Sequence, residues 1–156
     1  MTESTFYKGA RVLVTGGAGF VGTHIVERLL KAGARVRVTV HVRPMEIEDP
    51  SIEKVQADLA RQEDCLKACD GVQYVFHAAG AVAAAGVTAS NPMSAITTNL
   101  VLNARMLEAA WTAGVERFLL FSSSTGYPVT DHPVREEEFW SGPTHASYFG
   151  YGWMRR

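Results

Sequence analysis

The sequence predicts an α/β protein built on a doubly wound parallel sheet with helices on both faces. Three observations predict it. Short apolar runs alternate with helical patterns along the chain; a glycine-punctuated turn joins the first run to the first helix; and the 156 residues show no internal repeat or linker.

Each element has a local reason. "RVLVT" is a short apolar run bounded by glycines, which suits a buried strand. "VGTHIVERLLKAG" places Val21, Ile25, Leu29 and Leu30 on one helical stripe, and Gly33 ends it. "RVRVTVHV" alternates in valine as a second strand, and "DPSIEKVQADL" holds a loop and a short third. "ARQEDCLKACDG" reads as a helix ending on Gly71, and "VQYVFHAAG" as a fourth strand running into a small-residue turn. A long helix follows in "NPMSAITTNLVLNARMLEAAWTAG", with Asn91 as its cap and Pro92 at its first position. "VERFLLFSSS" is a fifth strand, and "TGYPVTDHPVREEEFWSGPTHAS" is loop-like, rich in Pro, Gly and acid.

Composition narrows the function classes. Hydrophobic content of 47% with 20% charged residues is ordinary for a globular domain. A formal charge of -1 supplies no basic excess to neutralise phosphates, so no nucleic-acid partner is expected. "MTESTFYKGA" has no secretory pattern, and "AAGAVAAAGV" is too short and glycine-broken to span a bilayer. A cytoplasmic protein without membrane attachment is expected. Cys65 and Cys69 lie four apart on a helix; with no His or third thiol beside them, they read as reduced thiols and no metal site is expected.

"TGGAGFVG" sets Gly16, Gly19 and Gly22 between a strand and a helix at the spacing GxxGxxG. The first glycine permits a tight turn, the second lets a pyrophosphate reach the backbone, and the third lets helix and strand pack closely. The helix N-terminus faces the phosphate charge. The context makes this a Rossmann-type dinucleotide site. At the end of the second strand an NAD site usually offers a carboxylate to the ribose hydroxyls. Here "VTVHVRP" has Val40 near that position, no carboxylate before Glu46, and Arg43 just beyond. An arginine fork suits a 2'-phosphate, so NADP is expected, with NAD as the alternative; a solvated loop arginine has the same sequence. Asp58 and Leu59 follow the third strand, where a carboxylate can meet the adenine amine or simply cap a helix.

"FLLFSSSTGYP" closes the fifth strand with three hydroxyls, at the carboxyl edge where open α/β sheets bind ligands, and "YGWMRR" follows downstream. With "TGGAGFVG" and "VFHAAG", these residues resemble the extended short-chain dehydrogenase/reductase family, the NAD(P)-dependent nucleotide-sugar epimerases, dehydratases and reductases. The resemblance runs from Ala10 onward, and "SSTGYP" looks most like the GDP-fucose synthase branch, which uses NADPH. It implies that Thr15, Gly16, Gly17, Ala18, Gly19, Phe20, Val21 and Gly22 hold the pyrophosphate. It further implies that Asp58 and Leu59 lie at the adenine, His41 and Arg43 at the end of the second strand, and Ala78, Ala79 and Gly80 beside the ribose and nicotinamide. Asn99 matches the asparagine of the family's long helix. The Ser...YxxxK machinery maps onto Ser123, Tyr151 and position 155, with Ser124 and Thr125 toward a nucleotide-sugar substrate. Ser123 is chosen because Tyr127 falls four residues later, as the family commonly has it.

The family's chemistry couples proton movement to hydride transfer. A phenol is a poor base at neutral pH unless a nearby cation favours its ionised form. The expected lysine is here Arg155, which keeps the charge but cannot surrender a proton. Tyr148 is a second candidate, although Gly152, four residues on, brings no charge. The resemblance therefore implies an NADP(H)-dependent oxidoreductase or epimerase of a nucleotide sugar, compatible with a homodimer. An NAD-dependent 4-epimerase or 4,6-dehydratase is the alternative, and a non-catalytic dinucleotide-binding protein a second one. Family members run to roughly twice this length, so residues 1–156 are expected to form the cofactor-binding Rossmann domain without the C-terminal substrate region.

Overall fold

The computed structural model describes residues 5–81, 91, 93 and 95–156. Nine main elements follow in order: β1 (Arg11–Thr15), α1 (Phe20–Lys31), β2 (Arg35–Val40), β3 (Glu53–Gln56), α2 (Gln62–Cys69), β4 (Tyr74–His77), α3 (Ile96–Thr112), β5 (Arg117–Leu120) and α4 (Phe149–Arg155). Short 3-10 turns lie at Thr5–Tyr7, Ser124–Gly126, Glu136–Trp140 and Ala146–Tyr148. The chain forms two compact units, Met1–Gly80 with Val101–Leu120, and Ala81–Leu100 with Phe121–Arg156.

The first unit holds the sheet. Its strands run in the order β3-β2-β1-β4-β5, every pairing parallel. The order reverses between β1 and β4, and such a switch opens a crevice beyond the carboxyl ends of the two strands. Alternate residues of β1 go to opposite faces. Val12 and Val14 join Val36 and Val38 against Val26 and Leu29 of α1. Leu13 and Val75 pack with Cys65, Ala68 and Cys69 of α2 and Met106, Ala109 and Ala110 of α3. Each fully buried valine, leucine or methionine contributes about 1.5–3 kcal/mol relative to exposure. The expected doubly wound sheet, covered on both faces, is what forms.

Three details differ from the sequence-based expectation. In α1 the buried stripe is Gly22, Val26 and Leu29, while Val21 is 46% exposed. One residue is about 100° of helix, enough to carry Val21 off the core face. The long helix begins at Ile96 rather than near Asn91. Ala95 stands at φ 65°, a left-handed conformation that costs a non-glycine residue about 1–2 kcal/mol and cannot belong to the helix. Asn91 Oδ1 instead accepts from the Met93 N–H at 3.2 Å, closing a local turn; Pro92 lies outside the described residues. Finally β5 is a short, largely exposed strand, and the serines lie beyond its end. Among the described residues no helix is long and apolar enough to cross a membrane.

Cys65 and Cys69 are unpaired and buried in the α2–α3 core. Burial pushes the Cys65 thiol up to about 11 and the Cys69 thiol up to about 12. Both are therefore protonated and shielded at neutral pH. Alkylation with iodoacetamide at pH 8, followed by mass spectrometry, should leave both unmodified in folded protein and label both in denaturant. Rapid labelling of the folded chain would contradict this packing.

Candidate active site

In the first unit the glycine loop is shaped by what cannot fit there. Gly16 has φ 68°, and a Cβ on it would sit 2.7 Å from Ala79 N and 2.8 Å from Ala78 C. At Gly22 a Cβ would lie 2.7 Å from Gly16 C and closer still to Gly16 O. At Gly17 it would overlap Val38. Gly19 differs: its backbone is extended, φ -91°, and a Cβ would meet only Gly16 O, at 3.2 Å. Gly16, Gly17 and Gly22 are thus required by packing, whereas Gly19 leaves open space above the loop.

The same loop starts α1. No side chain caps this helix, and no acid lies in its first turn. Thr23 Oγ1 donates to Gly17 O at 3.1 Å and Gly19 O at 2.8 Å, tying the loop's carbonyls back toward the helix. The unpaired N–H groups of the first turn, with the helix dipole behind them, are a ready anion site. Ala18 and Gly19 are half-buried, and Phe20 is 82% exposed with its edge against His24.

A buried chain of hydrogen bonds fixes the loop against β4. Thr15 and His77 are register partners, and Thr15 Oγ1 lies 2.7 Å from His77 Nδ1. The Ala79 N–H donates to Thr15 Oγ1 at 3.2 Å and the Ala78 N–H to Thr15 O at 3.2 Å. His77 Nε2 faces the acceptor Asn103 Oδ1 at 3.1 Å, which places the imidazole proton on Nε2 and makes Nδ1 the acceptor of the Thr15 hydroxyl proton. One polar chain thereby joins β1, β4 and α3 and holds the Ala78–Ala79 turn beside Gly16, with Gly80 exposed after it.

The other expected positions of this unit are less uniform. His41 and Arg43 are exposed after β2; Gln56 Nε2 donates to His41 O at 2.8 Å. Arg43 has no ion pair among the described residues. Asp58 is half-buried, and its Oδ1 accepts from the Ala60 N–H at 3.0 Å in a turn before α2. Leu59 points its side chain into the core, so only its backbone remains for a ligand.

In the second unit Asn99 is fully buried and spends its amide on backbone. Nδ2 donates to Ala81 O at 2.9 Å and Ala95 O at 2.7 Å, and Oδ1 accepts from the Ala81 N–H at 3.0 Å. Ser123 caps the Ser124–Gly126 turn, its Oγ accepting from Thr125 N at 3.3 Å and from Thr125 Oγ1 at 3.0 Å. Helix α4 comes close to this turn at Gly152, where a Cβ would sit 2.8 Å from Thr144 Cβ and would run into Thr125 O. Ser124 is exposed and Thr125 half-buried.

Tyr151 and Arg155 engage each other one helical turn apart, as their spacing implied. Arg155 Nη2 donates to the phenol oxygen at 2.7 Å, and its Cζ lies 5.1 Å from the ring centroid. Nη1 donates to Phe121 O at 3.1 Å, and the Arg155 carbonyl accepts from Ser122 Oγ at 3.2 Å. Tyr148 is 43% exposed and has no such cation among the described residues.

Sequence reasoning did not single out His77, Asn103 or Arg156. Arg156 Nε donates to Gly126 O at 2.7 Å, and Nη2 to Gly142 O at 2.8 Å. Its Cζ stands 4.9 Å from the Trp153 ring, 5.4 Å from Trp140 and 5.6 Å from Phe139. This arginine gathers the 126–142 loop onto α4. The available signal was composition: Phe139 and Trp140 in the loop and Trp153 on α4 offer three aromatic rings to one cation.

Comparison with known proteins places this geometry. Residues 12–155 match the model of the "NAD dependent epimerase/dehydratase family". A 3 beta-hydroxysteroid dehydrogenase/Delta 5→4-isomerase of Mycobacterium tuberculosis is 36% identical over 118 residues, 74% of this chain and 32% of that one. GDP-mannose 3,5-epimerase 1 of Oryza sativa subsp. japonica is 30% identical over 145 residues, 88% of this chain and 38% of that one. The structure of a Thermus thermophilus UDP-glucose 4-epimerase in complex with NAD superimposes with a TM-score of 0.72 at 28% identity, covering 92% of this chain and 48% of that one. The chain thus spans less than half the length of these proteins. With its parallel sheet, its closely packed glycine loop and a match along nearly its whole length, the chain belongs to the NAD dependent epimerase/dehydratase family, of the extended short-chain dehydrogenase/reductase type.

Proposed function

We propose that this chain is the cofactor-binding Rossmann domain of an NADP(H)-dependent enzyme that oxidises, reduces or epimerises a nucleotide-linked sugar. The observation that carries this is the uncapped start of α1 behind a loop in which Gly16, Gly17 and Gly22 exclude side chains while Gly19 leaves open space. Thr15, Gly16, Gly17, Ala18, Gly19, Phe20, Val21 and Gly22 hold the pyrophosphate, with backbone N–H groups doing the holding. Arg43, exposed and without an ion pair among the described residues, takes the 2'-phosphate beside His41. Asp58 and the Leu59 backbone lie at the adenine, and Ala78, Ala79 and Gly80 at the ribose and nicotinamide. Asn99 acts by holding Ala81 in place. The carboxyl end of β2 offers no carboxylate, which favours NADP over NAD.

A bound nicotinamide supplies hydride acceptance and return. The chain's own part is proton chemistry. Arg155 fills one lone pair of the Tyr151 oxygen, leaving the phenol proton and the second lone pair for a substrate hydroxyl. Ser123, already accepting from Thr125, keeps its own proton to donate to a substrate oxygen. Ser124 and Thr125 contribute hydroxyls toward the same substrate. Arg155 cannot relay a proton, so Tyr151 exchanges its proton with substrate or water directly. A nucleotide sugar as substrate is supported by the rice epimerase; the mycobacterial relative favours a second reading, a 3-hydroxysteroid. Two buried free thiols support a reducing, cytoplasmic setting. A homodimer is supported by the exposed α3 stripe of Leu100, Leu107 and Trp111, apolar at helical spacing.

The cofactor assignment has a clean variant. Gly19→Val adds a side chain where the loop is open, so the protein should fold as before and lose NADPH binding in a fluorescence titration. In the parent, NADPH should bind more tightly than NADH by about tenfold or more, and Arg43→Ala should erase most of that gap. Unchanged affinity in folded Gly19→Val, or equal affinities for the two cofactors in the parent, would overturn the respective assignment.

The proton chemistry is tested in the full-length enzyme. Tyr151→Phe should keep cofactor affinity and lower kcat by about 10²–10⁴-fold. Arg155→Lys should retain activity. Normal turnover of Tyr151→Phe with an inactive Tyr148→Phe would move the role to Tyr148. Turnover of a 3-hydroxysteroid and of no nucleotide sugar would select the second reading.

A further inference from the structure

Besides the glycine loop, the first unit has a cleft at the opposite, amino-terminal edge of the sheet. It has a volume of about 230 Å³ and is lined by Arg11, Arg35, Arg37, Ser51, Glu53 and the chain at Val36 and Val72. Arg11 opens β1 and Arg35 opens β2, and the two are direct register partners. Arg37 lies two residues along, on the same face of the sheet.

The three arginines are not equivalent. Arg37 is fixed: Nη1 donates to Ala68 O at 2.9 Å and Asp70 O at 2.7 Å, closing the C-terminal end of α2. Its Nε lies 2.9 Å from Glu53 Oε2 without the alignment of a hydrogen bond. Arg11 and Arg35 have neither an ion pair nor a side-chain hydrogen bond among the described residues. Like charges directly opposite on neighbouring strands destabilise a sheet. Three guanidinium groups against the single carboxylate of Glu53 leave the cleft with a formal excess of two positive charges.

We propose that this cleft binds a phosphate dianion, held by Arg11 and Arg35 and backed by the fixed Arg37. Guanidinium forks match phosphate oxygens in pairs, and a dianion balances the excess charge. The volume is below the roughly 300–1,000 Å³ of ordinary small-molecule pockets, which suits a phosphate group and not a whole dinucleotide. The site is separate from the glycine loop, since it lies at the other end of β1.

The test is calorimetric titration of the full chain with inorganic phosphate at constant ionic strength, with chloride as control. Gly19→Val closes the glycine loop to phosphate and separates the two sites. The expected result is phosphate binding that survives Gly19→Val and weakens by about tenfold or more in Arg35→Gln, and further in Arg11→Gln/Arg35→Gln. Both arginines are exposed, so neutral substitutes should leave the circular dichroism spectrum unchanged. Single Arg11→Gln and Arg35→Gln variants serve if the double variant fails to fold. Absence of binding in the parent, equal binding in the arginine variants, or loss on Gly19→Val alone would each overturn the proposal. Loss on Gly19→Val alone would assign the phosphate to the glycine loop, whereas the arginine variants leave the dinucleotide assignment untouched.

Discussion

The approach of Gly16 to the Ala78–Ala79 turn is the constraint on which the carboxyl edge of the sheet depends. With φ 68° and no room for a Cβ, Gly16 lets the chain leave β1, turn beside the end of β4 and enter α1. Gly22 then lets α1 settle against Gly16 itself. Two glycines thereby bring the uncapped end of a helix to the point where strand order reverses. The polar chain Thr15–His77–Asn103 sets the other side of this arrangement, because Thr15 accepts from the Ala79 N–H while giving its proton to His77. The buried hydroxyl and imidazole are all satisfied, so the turn is held by hydrogen bonds that leave its outer surface to backbone.

A comparable economy governs the second unit. Gly152 allows α4 to reach the Ser124–Gly126 turn, and Gly126 allows the Phe139 ring to approach within 2.5 Å of where its Cβ would be. Two adjacent arginines then divide the work. Arg155 holds the Tyr151 oxygen and the Phe121 carbonyl, whereas Arg156 holds the Gly126 and Gly142 carbonyls within three aromatic rings. The guanidinium's several donors explain why one side chain can fix two partners at once, which a lysine point charge does with less geometric control.

Much of this was legible in the sequence, and the reasons are physical. Val12, Leu13 and Val14 of "RVLVT" are all apolar because the middle of β1 is covered on both faces, and Gly16 and Gly22 of "TGGAGFVG" sit where backbone meets backbone. Such constraints act on single residues and leave a residue-level mark. The start of α3 was not legible, since it depends on Ala95 taking a left-handed conformation that no local propensity favours. Nor was the phase of α1, where Val21 and Gly22 compete for the core and the smaller residue wins because Gly16 is already there. The Thr15 partner of His77 is set by which strands become neighbours, and the Ala81 partner of Asn99 by where the chain runs after β4, information that a lone histidine or asparagine does not carry. Leu59 was read beside Asp58 as a ligand contact, yet its side chain belongs to the α2–α3 core.

The central claim is that the carboxyl ends of β1 and β4 form a backbone cradle for a dinucleotide. Amide hydrogen exchange of the full chain, with and without saturating NADPH, tests it most directly. Such a cradle predicts slowed exchange at the amides of residues 16–22 and 78–80, with the interior of the sheet unchanged. Protection confined to other segments, or none at these amides despite measured binding, would contradict it.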